Sequence, residues 1–162
     1  MNLLATAPYW LAAIFYLLLF LAAAEDGCRL KISNLTSGAI AVGAFVAVAL
    51  DGPIIGLWQN VVLFAAVLTV GTFMFGRGWM GGGDVKLLAG CALWFDLSAG
   101  WKALIAIAIV GGIEAFAVIL LRQLPWPDRL RQKVLLLKPR EGIPYGVAIA
   151  LGVAAMAVWL RS

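Results

Sequence analysis

The chain has 162 residues, of which 64% are hydrophobic and only 12% charged, with a formal net charge of +4 and no histidine. A soluble domain of this length cannot bury so much apolar surface in one core, so an integral membrane protein is indicated. The lack of histidine excludes a Ser-His-Asp triad, a His-Glu-x-x-His zinc site and a Ser/His dyad.

A spanning helix needs about 20 mostly apolar residues. Suitable stretches occur at about residues 8–24, 35–50, 54–75, 85–95, 102–121 and 143–160. The second is somewhat short, and the fourth is distinctly short unless residues 80–84 also lie at membrane depth. The expected fold is all-α and polytopic, with about six transmembrane helices in a single domain over residues 1–162 and no soluble domain. Near the amino terminus, Ala22-Ala23-Ala24 resembles a signal-peptide cleavage site. However, residues 1–8 carry no Lys or Arg, so the first segment is expected to stay as a membrane anchor. Residues 122–142, basic and interrupted by prolines, are expected to lie on an anionic leaflet. Cys28 and Cys91 form no disulfide framework or zinc pair and read as buried free thiols.

The basic residues test the crossing count. Six crossings place the connections at 25–34, 76–86 and 122–142 on one side. Those stretches hold ten of the twelve Lys and Arg residues, leaving only Lys102 and Arg161 on the other side. The positive-inside rule then puts the three connections in the cytoplasm and both termini outside. Asp26 and Asp84 fall together at the cytoplasmic surface.

Carboxylates at membrane depth are costly and point to function. Two held near each other cannot both ionise cheaply, so they share a proton and titrate as a unit. The charged member can take a proton from water attacking a peptide carbonyl. The neutral member can hydrogen-bond the carbonyl oxygen and supply the leaving amine with a proton. Taken singly, Asp26 could be an ordinary helix-end residue and Asp84 a first-turn acid facing the helix dipole. Neither explains why both share one face. Gly81, Gly82 and Gly83, directly before Asp84, allow positive φ and close approach of another chain, or simply a flexible hairpin. Lys86 could tune the Asp84 charge, bind phospholipid or anchor the helix at the interface.

Asp26, then Ile32-Ser33-Asn34, then Gly81-Gly82-Gly83-Asp84-Val85-Lys86-Leu87, then Pro144-Tyr145-Gly146-Val147-Ala148-Ile149 together resemble the type IV prepilin peptidases. These are membrane aspartyl proteases of the Gly-x-Gly-Asp class. The resemblance extends over nearly the whole chain and is closest to the compact members associated with tight-adherence (Flp-type) pili. It implies that Asp26 and Asp84 are the catalytic pair. Read from their own positions, Gly81, Gly82, Gly83, Lys86, Asn34, Tyr145 and Glu114 are supporting or substrate-binding candidates. The resemblance further implies a pilin precursor as substrate, its apolar helix alongside the enzyme and its short basic leader cut at the cytoplasmic face, typically just after a glycine. Three departures are visible. Ser33 stands where the family usually has proline in Ile-Pro-Asn. The cysteine-tetrad segment of the longer, methylating enzymes is missing, so cleavage without N-methylation is expected. Glu25 precedes Asp26, unlike the Tyr-Asp of presenilin-type proteases.

Glu114 falls about twelve residues, roughly 18 Å, into the fifth segment of a core about 30 Å thick. It could face the catalytic cavity, or it could be a protonated packing residue bonded to a group such as Gln59 or Asn60. Tyr145 follows Pro144 at the start of the last helix, where it could orient substrate or anchor the interface. No metal, cofactor or nucleic acid is expected; membrane lipids and the precursor are the expected partners, in the cytoplasmic (inner) membrane. The competing readings are a proton-coupled transporter using Asp26, Asp84 and Glu114, and a non-catalytic pilus-assembly factor. Transporters usually carry such acids near the bilayer midplane, whereas Asp26 and Asp84 sit at one surface.

Overall fold

The computed structural model describes residues 2–51, 56–127 and 143–161. The helices are α1 Leu3–Thr6, α2 Tyr9–Arg29, α3 Asn34–Asp51, α4 Leu57–Gly76, α5 Gly82–Ala92, α6 Leu97–Gln123 and α7 Tyr145–Trp159. There is no strand among the described residues. α2, α4 and α6 are each long and apolar enough to cross a membrane, and α3 and α7 are shorter apolar helices. The protein is an all-α polytopic membrane protein. The expectation for residues 128–142, on the anionic leaflet, lies outside the described residues.

The helix ends differ from the hydropathy estimate because local capping sets them. α2 runs five residues past Ala24, so Asp26 lies inside the helix rather than in the following loop. It stops where Leu30 takes the left-handed conformation (φ 52°, ψ 35°) and returns its N–H to the Asp26 carbonyl at 2.8 Å. α3 is capped by Ser33, whose Oγ accepts the Thr36 N–H at 3.0 Å. α6 begins at Leu97, five residues before Lys102, because the Asp96 carboxylate accepts the Ala99 N–H at 2.8 Å. The one-turn helix α1 was not expected. It folds back so that Leu3 donates to the Trp94 carbonyl at 2.9 Å.

α5 has 11 residues, about 16 Å of helix, too short to span alone. It is nevertheless the centre of the bundle, packed between α3 and α4 and touching α7. α7 in turn packs extensively on α6 and α2. Small residues permit these approaches: a Cβ on Gly152 would lie 2.8 Å from the Ile107 backbone, and one on Gly71 2.8 Å from Val85 Cγ1. α4 meets α6 only lightly, leaving an apolar cleft of about 270 Å³ lined by Val67, Gly71, Met80 and Leu104 among others. Phe20, Phe45, Phe73 and Phe116 point outward, as a lipid-facing surface requires.

The two ends of the bundle are chemically distinct. At one end, Arg161 donates to the carbonyls of Leu4 (2.7 Å) and Ala7 (2.8 Å) and lies over the Tyr9 ring at 5.3 Å. Lys102 lies over Trp159 at 4.9 Å at the same end. The opposite end collects the ends of α2, α4 and α6 and the starts of α3, α5 and α7. It carries Arg29, Lys31, Arg77, Lys86 and Arg122. The described basic residues are thus segregated as the crossing parity predicts.

Candidate active site

The site forms at the basic end, where three chain segments far apart in sequence converge. Asp26 is on the last full turn of α2 and Asp84 on the first turn of α5; both are buried, at 4% and 7% exposure. Gly146, at the start of α7, donates its N–H to Asp26 Oδ2 at 2.7 Å. Gly81 donates its N–H to Asp84 Oδ2 at 3.3 Å, so the acid closes its own helix start. The two carboxyls interact electrostatically with one another, and Asp84 also with Glu114. Among the described residues, no three acidic, Cys or His side chains are grouped tightly enough to hold a metal ion.

Ile32 fills the space between the elements that carry the acids. A Cβ on Gly146 would lie 2.7 Å from Ile32 Cδ1 and 2.9 Å from Asp26 Oδ2. One on Gly83 would lie 3.2 Å from Ile32 Cβ and 3.3 Å from its backbone N. The glycines are required because the α3 approach, α5 and α7 meet here at backbone distance.

The glycine triplet is not the flexible hairpin considered above. Gly82 and Gly83 are already helical, and Gly81 is extended at φ −71°, ψ 145°. The positive φ falls outside the triplet, at Gly78 (φ +74°). The triplet serves close packing: a Cβ on Gly82 would meet Phe75 Cε2 at 3.2 Å.

Lys86 does not reach Asp84. Residues two apart on a helix point to different faces, and Lys86 Nζ instead donates to Asn34 Oδ1 at 2.8 Å, tying α5 to the start of α3. Beside it, Glu25 accepts the Ser33 N–H at 2.9 Å and the Thr36 hydroxyl at 3.2 Å. The residue preceding Asp26 thus anchors the α2–α3 connection.

Glu114 has neither of the partners considered from sequence. The Asn60 amide donates to the Leu93 carbonyl at 2.9 Å. Glu114 faces the Ala148 N–H without closing a hydrogen bond to it, interacts electrostatically with Asp26, and leaves Oε2 buried with no hydrogen-bond partner. The half-buried Tyr145 has its ring beside Gly111, one turn before Glu114, so it packs α7 on α6. Cys91 is buried as expected, but Cys28 is exposed because it lies on the outer side of α2's last turn.

Gly146 and Ala148 are the contributors that motif reading did not assign to the acids. The available signal was a glycine at the second position of a helix whose amino terminus has free N–H groups.

Comparison with characterised proteins and with solved structures gave no significant match. The family model described as "Type IV leader peptidase family" matches residues 13–121, a stretch containing both Asp26 and Asp84. That match spans more than half of the chain, and the chain belongs to the type IV leader peptidase family.

Proposed function

We propose that this membrane peptidase is an aspartic endopeptidase in which Asp26 and Asp84 act as a pair. It removes the basic leader from Flp-type pilin precursors at the cytoplasmic face of the inner membrane. The observation that carries this reading is the convergence of two buried carboxyls from the end of α2 and the start of α5.

The chemistry follows from their hydrogen bonds. An N–H directed at a carboxylate favours its charged form, and the Gly146 bond to Asp26 is shorter than the Gly81 bond to Asp84 (2.7 against 3.3 Å). Asp26 is therefore assigned as the base that takes a proton from water. The water oxygen bonds to the scissile carbonyl carbon while protonated Asp84 donates to the carbonyl oxygen. As the C–N bond breaks, a proton passes to the leaving nitrogen, releasing a leader carboxylate and a pilin with a free amine. Nothing in the pair supplies a methyl group, and the new amino terminus is expected to remain unmethylated.

Co-expression with a pilin precursor tests the assignment. Wild type is expected to trim the precursor, whereas Asp26→Asn and Asp84→Asn, each recovered folded in the membrane, leave it full length. Trimming that persists in either variant would overturn the aspartic mechanism. The mass of the trimmed pilin separately reads the methylation expectation.

A further inference from the structure

Glu114 is half-buried and carries a buried carboxyl oxygen that packing does not explain. It sits in the apolar α6, where an acid is costly, yet one of its oxygens is buried with no donor. A side chain retained only for packing would gain by becoming apolar.

Its surroundings link it to the acid pair. Gly111, one turn earlier, has no side chain and lets α6 approach the first turn of α7: a Cβ there would lie 3.5 Å from Ala148 Cβ and 3.8 Å from the Tyr145 ring. This turns Glu114 toward the Ala148 N–H, short of a closed hydrogen bond. Two residues earlier, the Gly146 N–H is held by Asp26. One helix amino terminus is therefore held by a carboxyl from α2 and faced by a second from α6. Helix amino termini attract negative charge because their first N–H groups lack intrahelical partners. Among the described residues, Asp26 on α2 and Asp84 on α5 are the titratable groups that interact with Glu114, and the Tyr145 ring on α7 packs at Gly111 one turn away. Lys86, the nearest described base on α5, is turned away to Asn34.

We propose that Glu114 is a positioning residue for the acid pair. Packed through α6 on the first turn of α7, it steadies the turn that keeps Gly146 on Asp26, and its unpartnered oxygen sets a third carboxyl charge beside the pair. The inference rests on the aspartic reading above. It assigns the two effects to separable properties, reach and charge. Gln at 114 keeps the length and an oxygen facing the α7 turn and removes the charge. Asp keeps the charge and shortens the reach.

The test is trimming, as a function of pH, of a purified pilin precursor with a basic leader, a glycine junction and an apolar helix, with enzyme in detergent. Asp26→Asn and Asp84→Asn are the silent controls. Glu114→Gln is expected to move the alkaline limb of the kcat profile to lower pH by about half a unit or more, because the pair loses its proton more easily without a third charge. Glu114→Asp should leave that limb near the wild-type position and slow turnover. A Glu114→Gln profile that superimposes on wild type overturns the proposal while leaving the aspartic reading intact. Active Asp26→Asn or Asp84→Asn overturns both. Infrared titration gives a readout independent of turnover: the carboxylic C=O band that Glu114→Gln deletes should vanish at lower pH in Asp26→Asn than in wild type. A band unmoved by Asp26→Asn overturns the coupling.

Discussion

The Gly146 amide donates to the Asp26 carboxylate at 2.7 Å across 120 residues of sequence. The last helix thereby holds the candidate base in place, although it carries no acid of its own. Glycine is needed there for space, since a Cβ would lie 2.9 Å from Asp26 Oδ2 and 2.7 Å from Ile32 Cδ1. Gly146→Ala is therefore expected to lower trimming about tenfold or more, with a destabilisation of about 1–3 kcal/mol from overpacking. Kinetics on folded protein check this. Unchanged kcat in Gly146→Ala would mean that the amide does not position the base.

Ser33 stands where the resemblance drawn from the sequence leads one to expect proline, and its bonds show what a serine supplies there. Its N–H, which proline lacks, reaches Glu25 at 2.9 Å, and its Oγ caps Thr36 at 3.0 Å. Ser33→Pro loses both and Ser33→Ala loses only the cap, which is worth about 1 kcal/mol. Thermal unfolding in detergent should rank wild type above Ser33→Ala and Ser33→Ala above Ser33→Pro. Ser33→Pro as stable as wild type would show that proline replaces both bonds with its own rigidity.

The legible part of this site was the part that hydropathy and charge can see. Asp26 and Asp84 stand out because acids beside apolar runs are rare, and Lys102 and Arg161 fix the parity by being alone on their side. The helix ends were less legible, because a hydropathy window ends at the first charge. α2 continues through Glu25 and Asp26, whose side chains are satisfied by Ser33 and Gly146 from outside the helix. The start of α6 was readable in principle from Asp96 followed by Ser98. The roles of Gly146 and Ala148 were not. A glycine and an alanine in an apolar helix look like packing, and only the fold shows which acids face their N–H groups.

At the other end of the bundle, Arg161 closes the carbonyls of Leu4 and Ala7 and covers Tyr9. These carbonyls belong to a short turn with few internal partners, so the guanidinium joins the two chain ends. Arg161→Ala is expected to cost about 2–3 kcal/mol, the scale of charge-assisted bonds left unmade. Arg161→Lys should recover part of this, since one ammonium serves the two carbonyls with poorer geometry. Turnover per folded molecule should stay at wild type, because the acids lie at the opposite end. A loss of kcat without loss of stability would reveal coupling between the ends.

Cys28 gives a chemical test of orientation. It is exposed on the last turn of α2, two residues from Asp26, while Cys91 is buried at 1%. Thiol reagents act on accessible thiolates, so a membrane-impermeant maleimide should label Cys28 and leave Cys91 untouched until the protein is denatured. With the basic end in the cytoplasm, labelling should occur in inverted membrane vesicles and be nearly absent in intact cells. Cys28→Ser should abolish it. Labelling of intact cells through Cys28 would place the acids on the outer face. That outcome would leave the acid-pair geometry standing, but a leader retained in the cytoplasm could no longer reach it.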